Sequence, residues 1–130
     1  MRNILIFVVL FSFFSCNNNA SKNVEFIKHK DLIGSKVLYL ADMSEESYEA
    51  YEEIADKKEL EIKYIDDIIY VSLLEELNAC GEYGLNIETK NDTIKLKTIF
   101  LSDEMCCSAS IRKLTYIINN PDKKEKVIIR

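Results

Sequence analysis

The sequence predicts an α+β fold, in which about seven or eight short strands form a predominantly antiparallel β-sheet beside one helix. Three observations carry this prediction. Beyond residue 24, apolar and polar residues mostly alternate at a period of two, which is typical of half-buried strands. Turn-forming dipeptides separate these segments. Only residues 44–58 show helical spacing, and a chain of many strands with one helix is typical of the α+β class.

The first 15 residues are predicted to be a signal peptide and are excluded from the fold. Arg2 supplies a positive charge, and an apolar run interrupted only by Ser12 follows at residues 4–14. As a helix this run would rise only about 16 Å, whereas the hydrocarbon core of a bilayer is about 30 Å thick. We therefore expect a signal peptide at 1–15, a tether at 16–23 and one small domain at 24–130.

The N-terminal half of the domain is predicted to contain two short strands and the helix. The strands cover residues 24–28 and 36–40, with a turn near Gly34-Ser35. Asp42 is predicted to start the helix as the acceptor of a capping box, with Glu45 three residues later. Four apolar residues of the helix recur at helical spacing: Tyr48, Tyr51, Ile54 and Ala55. Five acids take its other faces: Glu46, Glu49, Glu52, Glu53 and Asp56.

Residues 60–64 and 68–73 are predicted to form a β-hairpin. Leu60, Ile62 and Tyr64 alternate with charged residues, and Asp66-Asp67 forms the turn. Residues 69–80 fit a second interpretation, a helix ended by Gly81. Their β-branched residues favour a strand for the first half of that segment.

The last third of the chain is predicted to be all strand. The clearest hairpin joins residues 85–90 to 94–100 through Asn91-Asp92. Residues 114–118 supply another inward-facing set, and after a turn around the only proline the chain closes with a strand at 127–129.

Residues 13–16, Phe-Phe-Ser-Cys, resemble a bacterial lipobox, in which a small residue precedes an invariant cysteine. Ser15 is that small residue, although the two phenylalanines depart from the usual leucine and small residue. The resemblance implies cleavage before Cys16 and acylation of its sulfur and amine, and two or three acyl chains anchor a protein stably. It also implies an outer-membrane lipoprotein that faces the periplasm, because no acid closely follows Cys16. The alternative is an ordinary cleaved signal that leaves Cys16 as a free thiol.

Three further cysteines, Cys80, Cys106 and Cys107, would reach an oxidising compartment after export. They allow one disulfide: Cys80–Cys106, Cys80–Cys107 or the vicinal pair. A bridge from Cys80 closes a loop worth about 3 kcal/mol in the chain-entropy model. The spacing does not fit a redox pair or a zinc site, even with His29 as a fourth ligand, so we expect no metal or cofactor.

The charge pattern argues against nucleic-acid binding. Residues 42–82 hold 14 acids and three lysines, a net charge of −11, which repels phosphate backbones. The single histidine, His29, lies between two lysines and is expected to be an exposed loop residue. With three glycines and no tryptophan, the chain lacks a phosphate-binding loop and the usual sugar-stacking platform. We expect no enzymatic activity.

Five motifs in residues 76–130 resemble those of small lipoproteins of the Bacteroidota type. In one-letter code they are NACG from residue 78, NDTI from 91, SDEMC from 102, KLTY from 113 and NNP from 119. The resemblance implies that Cys106, not the additional Cys107, pairs with Cys80. It also implies O-glycosylation at Thr93, within Asp-Thr-Ile, although these residues equally fit plain turn chemistry. It implies no activity.

Three functional classes remain from the sequence alone. The first is a non-enzymatic interaction module, such as an inhibitor, an immunity protein or an envelope-assembly subunit, whose acidic helix face meets a basic protein. The second is a binding protein for a small lipid or peptide, which requires an apolar pocket of about 300 Å³ or more. The third, a hydrolase, would need facing carboxylates across a cleft.

Overall fold

A computed structural model describes residues 26–130. The elements in chain order are β1 (Leu32–Asp42), α1 (Tyr48–Asp56), β2 (Glu61–Ile65), β3 (Ile68–Asn78), β4 (Tyr83–Lys90), β5 (Thr93–Phe100), β6 (Ala109–Asn119) and β7 (Val127–Ile129). Seven strands and one short helix in this part of the chain confirm the predicted α+β class. The predicted signal peptide, Cys16 and the tether lie outside the described residues.

The strands form two sheets that pack face to face. The larger sheet has the order β1-β6-β3-β2 and is antiparallel throughout, whereas the smaller has the order β4-β5-β7, with β7 parallel to β5. In the central strands β3, β5 and β6, alternate residues point inward, as the period of two predicts. The core between the sheets contains Leu32, Ile69, Val71, Leu73, Leu85, Ile87, Ile94, Leu96, Leu114, Tyr116 and Ile118.

Helix α1 covers one end of the larger sheet, on the face away from the smaller sheet. Ile111 on β6 has the opposite parity to Leu114, Tyr116 and Ile118, so it points to this outer face. There it packs with the buried side chains of Ala41, Tyr48 and Ala55. This second cluster fixes the position of the helix on the sheet.

The start of the domain differs from the prediction. Residues 26–28 form no strand, because Asn86 takes the place of a strand partner: its side chain donates to the Ile27 carbonyl and accepts from the His29 N–H. Gly34 and Ser35 do not form a turn. They lie inside β1, where they pair with Ile117 and Tyr116 of β6, next to an irregularity in the pairing.

The helix is shorter than predicted. It begins at Tyr48 after Ser47 and ends at Asp56, not at 44 and 58. The predicted capping box is absent, because the Asp42 carboxylate accepts hydrogen bonds from the N–H and hydroxyl of Ser44 in a turn that precedes the helix. Ile54 was expected on the buried face but is 50% exposed.

The two predicted hairpins are confirmed. Asp66 and Asn91 each occupy the first position of a two-residue turn with positive φ, 51° and 54°, a conformation that Asp and Asn tolerate better than most residues. The alternative helix at residues 69–80 is excluded, because β3 pairs with β6 along its whole length. Within residues 26–130, no helix has the length and hydropathy needed to span a bilayer.

Candidate functional site

A surface rich in carboxylates lies along α1. We define the acidic helix surface as five carboxylates, four from the helix and one from the neighbouring strand β3: Glu49, Glu52, Glu53, Asp56 and Glu76. The helix presents them along one flank of its buried side: Tyr48 and Ala55 are buried against the sheet, and Glu52, one turn from each, is half-buried. Amphipathic spacing therefore determines which way the carboxylates face.

Three of these carboxylates, Glu49, Asp56 and Glu76, lie close enough to Glu52 to act on it. The Tyr48 hydroxyl donates to Glu76 Oε2 at 2.8 Å, and burial together with this carboxylate raises the pKa of Tyr48 to about 12. Partial burial, followed by the negative charges of Glu76, Asp56 and Glu49, raises the pKa of Glu52 above its ordinary value. The surface thus holds like charges together.

None of these five carboxylates forms an ion pair with a cation among residues 26–130, whereas six of the 16 other acids in that range do. Lys63 pairs with Glu61 at 2.6 Å, and Lys126 lies between two aspartates. Arg130 pairs with Glu75, the neighbour of Glu76 in β3, at 3.1 Å. The acidic helix surface therefore has unsatisfied capacity for positive charge.

A groove of about 340 Å³ lies beside the C-terminal end of α1. Ile54, Leu60 and Leu74 contribute apolar walls, and Glu61, Ser72 and Lys113 are among its polar groups. The buried Ser72 hydroxyl donates to Glu61 Oε2 at 2.8 Å, and hydrogen bonds from Lys63 and Ser72 lower the pKa of Glu61. The groove combines apolar area with a fixed carboxylate, as small-ligand sites do.

A disulfide joins Cys80 to Cys106, with their Cα atoms 5.7 Å apart, and Cys107 is free and exposed. The pairing implied by the lipoprotein resemblance is therefore present, and the Cys80–Cys107 and vicinal alternatives are not. The Asn78 side chain links both sides of the bridge. Its Oδ1 accepts from the N–H groups of Cys80 and Cys106 at 3.2 Å, and its Nδ2 donates to the Cys106 carbonyl at 2.5 Å.

Further contacts near the disulfide join the β3–β4 loop to the β5–β6 loop. A Cβ on Gly81 would lie 2.4 Å from the ring of Phe100, so only glycine fits there without a shift. Ser102 accepts a hydrogen bond from the N–H of Glu82 at 2.7 Å. The NACG and SDEMC motifs, distant in sequence, thus meet in one place, and their contacts are structural.

His29 is less exposed than predicted, because it is held by neighbours on both sides of its ring. Its side chain is 25% exposed, Nδ1 accepts from the Asp31 N–H at 3.2 Å, and Nε2 lies 3.1 Å from Thr89 Oγ1. These contacts connect the segment that precedes β1 to β4. They include no Ser or Cys nucleophile.

Thr93 lies at the start of β5, directly after the hairpin turn. It pairs with Lys90 in β4 and with Val127 in β7, and its side chain is half-buried. The preceding Asp92 accepts from Lys126 Nζ at 3.2 Å. Glycosylation of Thr93 stays a prediction.

Two parts of these sites were missed from the sequence. Glu76 was not assigned to the acidic face, although alternation from Ser72 and Leu74 places it on the same side of β3. The role of Asn78 has no comparable pattern, because it depends on how two loops meet.

Among residues 26–130, no group of three or more His, Cys, Asp or Glu side chains is arranged to hold a metal ion. No protein-family model, no curated protein and no solved structure matches the chain.

Proposed function

We propose that this chain is a non-enzymatic, lipid-anchored envelope protein whose acidic helix surface binds a basic protein. The observation that carries the proposal is the group of neighbouring carboxylates on α1 and β3, which lack cation partners in the described part of the chain. Surfaces of one sign attract partners of the opposite sign and speed their encounter.

The physical reason for a basic partner is the relief of repulsion. A cation about 4 Å from one carboxylate contributes about 1 kcal/mol in bulk water and about 4 kcal/mol near a protein surface at low effective dielectric, before desolvation costs. Here Asp56 and Glu76 both lie close enough to act on Glu52, so a cation near Glu52 also meets their negative charge. It would also offset the neighbouring negative charges that, after burial, raise the pKa of Glu52.

The proposed location rests on the lipobox-like residues before Cys16 and is tested separately. Labelled palmitate should enter the full-length chain and be lost in Cys16→Ser, because the thiol carries the first acyl group. A labelled Cys16→Ser chain, or an unlabelled wild type that keeps Met1, would refute the anchor without bearing on the acidic helix surface.

The binding proposal is tested by affinity capture of tagged full-length chain from its native envelope, with two matched charge-reversal variants. Glu49→Lys/Glu53→Lys changes exposed residues of the acidic helix surface, and Asp103→Lys/Glu104→Lys makes the same charge change at exposed residues outside it. We expect a basic protein to be recovered with wild type and with the second variant. The first variant should lose it.

Equal recovery with both variants would contradict the proposal. An equal loss would mean that net charge alone governs binding, and equal retention would mean that the partner does not use the acidic helix surface. Recovery should also fall as salt rises from about 0.05 to 0.5 M, because exposed charges are screened over a Debye length of about 10 Å at 0.1 M.

The groove beside α1 favours a second candidate function, the binding of a small amphiphilic ligand such as a lipid or short peptide. Its volume of about 340 Å³ falls within the range of small-molecule sites, about 300 to 1,000 Å³. Native mass spectrometry of the chain purified from its envelope should then show a bound species that Leu74→Trp, which fills the groove, removes. A chain of unmodified mass apart from acylation would count against this candidate.

A further inference from the structure

Strand β2 is an edge of the larger sheet. Its pairing with β3 in the hairpin determines which of its backbone groups remain unpaired. Ile65 and Ile68 flank the two-residue turn, so they form a hydrogen-bonded pair, as do Lys63 with Tyr70 and Glu61 with Ser72. The N–H and C=O groups of Ile62 and Tyr64 therefore point away from β3. An unpaired edge of this kind is a template for another strand.

The side chains of β2 complement themselves under a two-fold rotation centred on Ile62. In an antiparallel pair of two copies, Ile62 faces Ile62, and Glu61 of each copy faces Lys63 of the other. Leu60 then faces Tyr64. The apolar residues fall on one face, where Ile62 is 38% and Tyr64 is 44% exposed, and the opposite charges fall on the other.

The backbone agrees with this register. Centring on Ile62 makes Ile62 of the two copies a hydrogen-bonded pair and Glu61–Lys63 the closely spaced pairs. If Leu60, the residue before β2, continues the strand opposite Tyr64, the pairing makes about six bonds in all. Centring on Lys63 instead would place Lys63 against Lys63, which repels. Of these two registers, only the first satisfies charge, side-chain face and hydrogen bonding together.

We propose that two copies of this chain associate through antiparallel pairing of their β2 edges, in the register that places Ile62 against Ile62. The larger sheets then join into one sheet of eight strands. The two-fold axis is perpendicular to that sheet, so both α1 helices lie on the same face. This inference follows from β2 alone and is independent of the proposed basic partner.

Pairing of one five-residue edge strand buries less than the roughly 1,200 Å² typical of stable complexes, so the dimer should be weak and favoured at high local concentration. Cysteine cross-linking suits a weak dimer because a disulfide between the copies traps the dimer once it has formed. Paired Ile62 Cα atoms would lie about 5.5 Å apart, within disulfide range. Ile65, 54% exposed in the same strand, would lie about 20 Å from its counterpart and is the matched control.

The experiment uses the full-length chain with Cys107→Ser, treated in cells with copper phenanthroline and examined by non-reducing electrophoresis. Ile62→Cys should yield a dimer band at least fivefold stronger than Ile65→Cys. Equal bands, or none from Ile62→Cys, would overturn the proposed register.

Charge reversal distinguishes a loss of pairing between copies from misfolding of a single chain. In the Ile62→Cys background, Glu61→Lys alone and Lys63→Glu alone should each reduce cross-linking several-fold, because like charges then face each other. Co-expression of the two variants under different tags should restore a mixed dimer, since each positive pair then meets a negative one. Failure of the mixture to exceed either variant alone would contradict the pairing.

Discussion

Removal of the Cys80–Cys106 disulfide should destabilise the domain by about 3 to 4 kcal/mol. The bridge spans 26 positions, and the chain-entropy relation for a loop of that length gives this loss at 25 °C. The cost is a large share of the 5 to 15 kcal/mol that stabilises a typical domain. For about 105 described residues, with an unfolding entropy of about 2.1 cal/mol/K per residue, Tm should fall by about 15 °C.

The assay is urea unfolding followed by far-UV circular dichroism, with Cys80→Ser/Cys106→Ser compared with wild type under non-reducing conditions. At an m value of about 1.5 kcal/mol/M, the midpoint should shift by about 2 M. Cys107→Ser is the control: this thiol is free and exposed, so its removal should change stability by less than about 0.5 kcal/mol. A loss below about 1 kcal/mol in the double variant would refute the reasoning.

Three further predictions use the same unfolding assay. Asn78→Asp should lower the free energy of unfolding by about 1 to 3 kcal/mol, because a carboxylate cannot donate to the Cys106 carbonyl. An unchanged midpoint would contradict a stabilising role for this hydrogen bond. Leu114→Ala should lower the free energy of unfolding by about 2 to 5 kcal/mol, since the Leu114 side chain is fully buried. Leu38 is 43% exposed, so Leu38→Ala should lower it by no more than about half as much. Equal losses would contradict the assigned core. Glu52→Gln should stabilise the domain at pH 7 but not at pH 4. Because the pKa of Glu52 is raised, the folded state binds more protons than the unfolded state at pH values just above the ordinary pKa of 4.5. The stability of the wild type therefore falls as the pH rises through this range. A Glu52→Gln variant that is less stable than wild type at pH 7 would refute this sign.

The sequence predicted those elements whose structure is determined locally. Alternation over residues 85–100 with Asn91-Asp92 between the strands specifies a hairpin, because the period of two assigns the faces and the turn residue accepts a positive φ. The same holds for Asp66-Asp67. Period and turn chemistry act over a few neighbouring residues, so one sequence is enough to find them.

The errors occurred where another group, distant or nearby in the sequence, takes the hydrogen bonds that the predicted element would need. Nothing near Ile27 indicates that Asn86, 59 positions away, will take its hydrogen bonds in place of a strand. Asp42 was predicted to cap the helix, but its carboxylate bonds to Ser44 instead, and the helix starts four residues after Ser44. Capping and turn formation use the same acceptor, so the local pattern could not separate them.

The candidate site was partly predictable for the same reason. The helical spacing of Tyr48 and Ala55 predicted which side of α1 is buried, and so where its acids face. The addition of Glu76 required the position of β3 beneath the helix, which depends on sheet order. The group of carboxylates that carries the functional proposal therefore became visible only in three dimensions.

The most direct test of the central claim is the affinity of the captured basic partner for wild-type chain and for the two charge-reversal variants, measured across a salt series. We predict that Glu49→Lys/Glu53→Lys weakens binding at least tenfold at low salt and flattens the salt dependence, while Asp103→Lys/Glu104→Lys stays within twofold of wild type. Equal affinities for all three proteins, at every salt concentration, would show that the acidic helix surface is not where the partner binds.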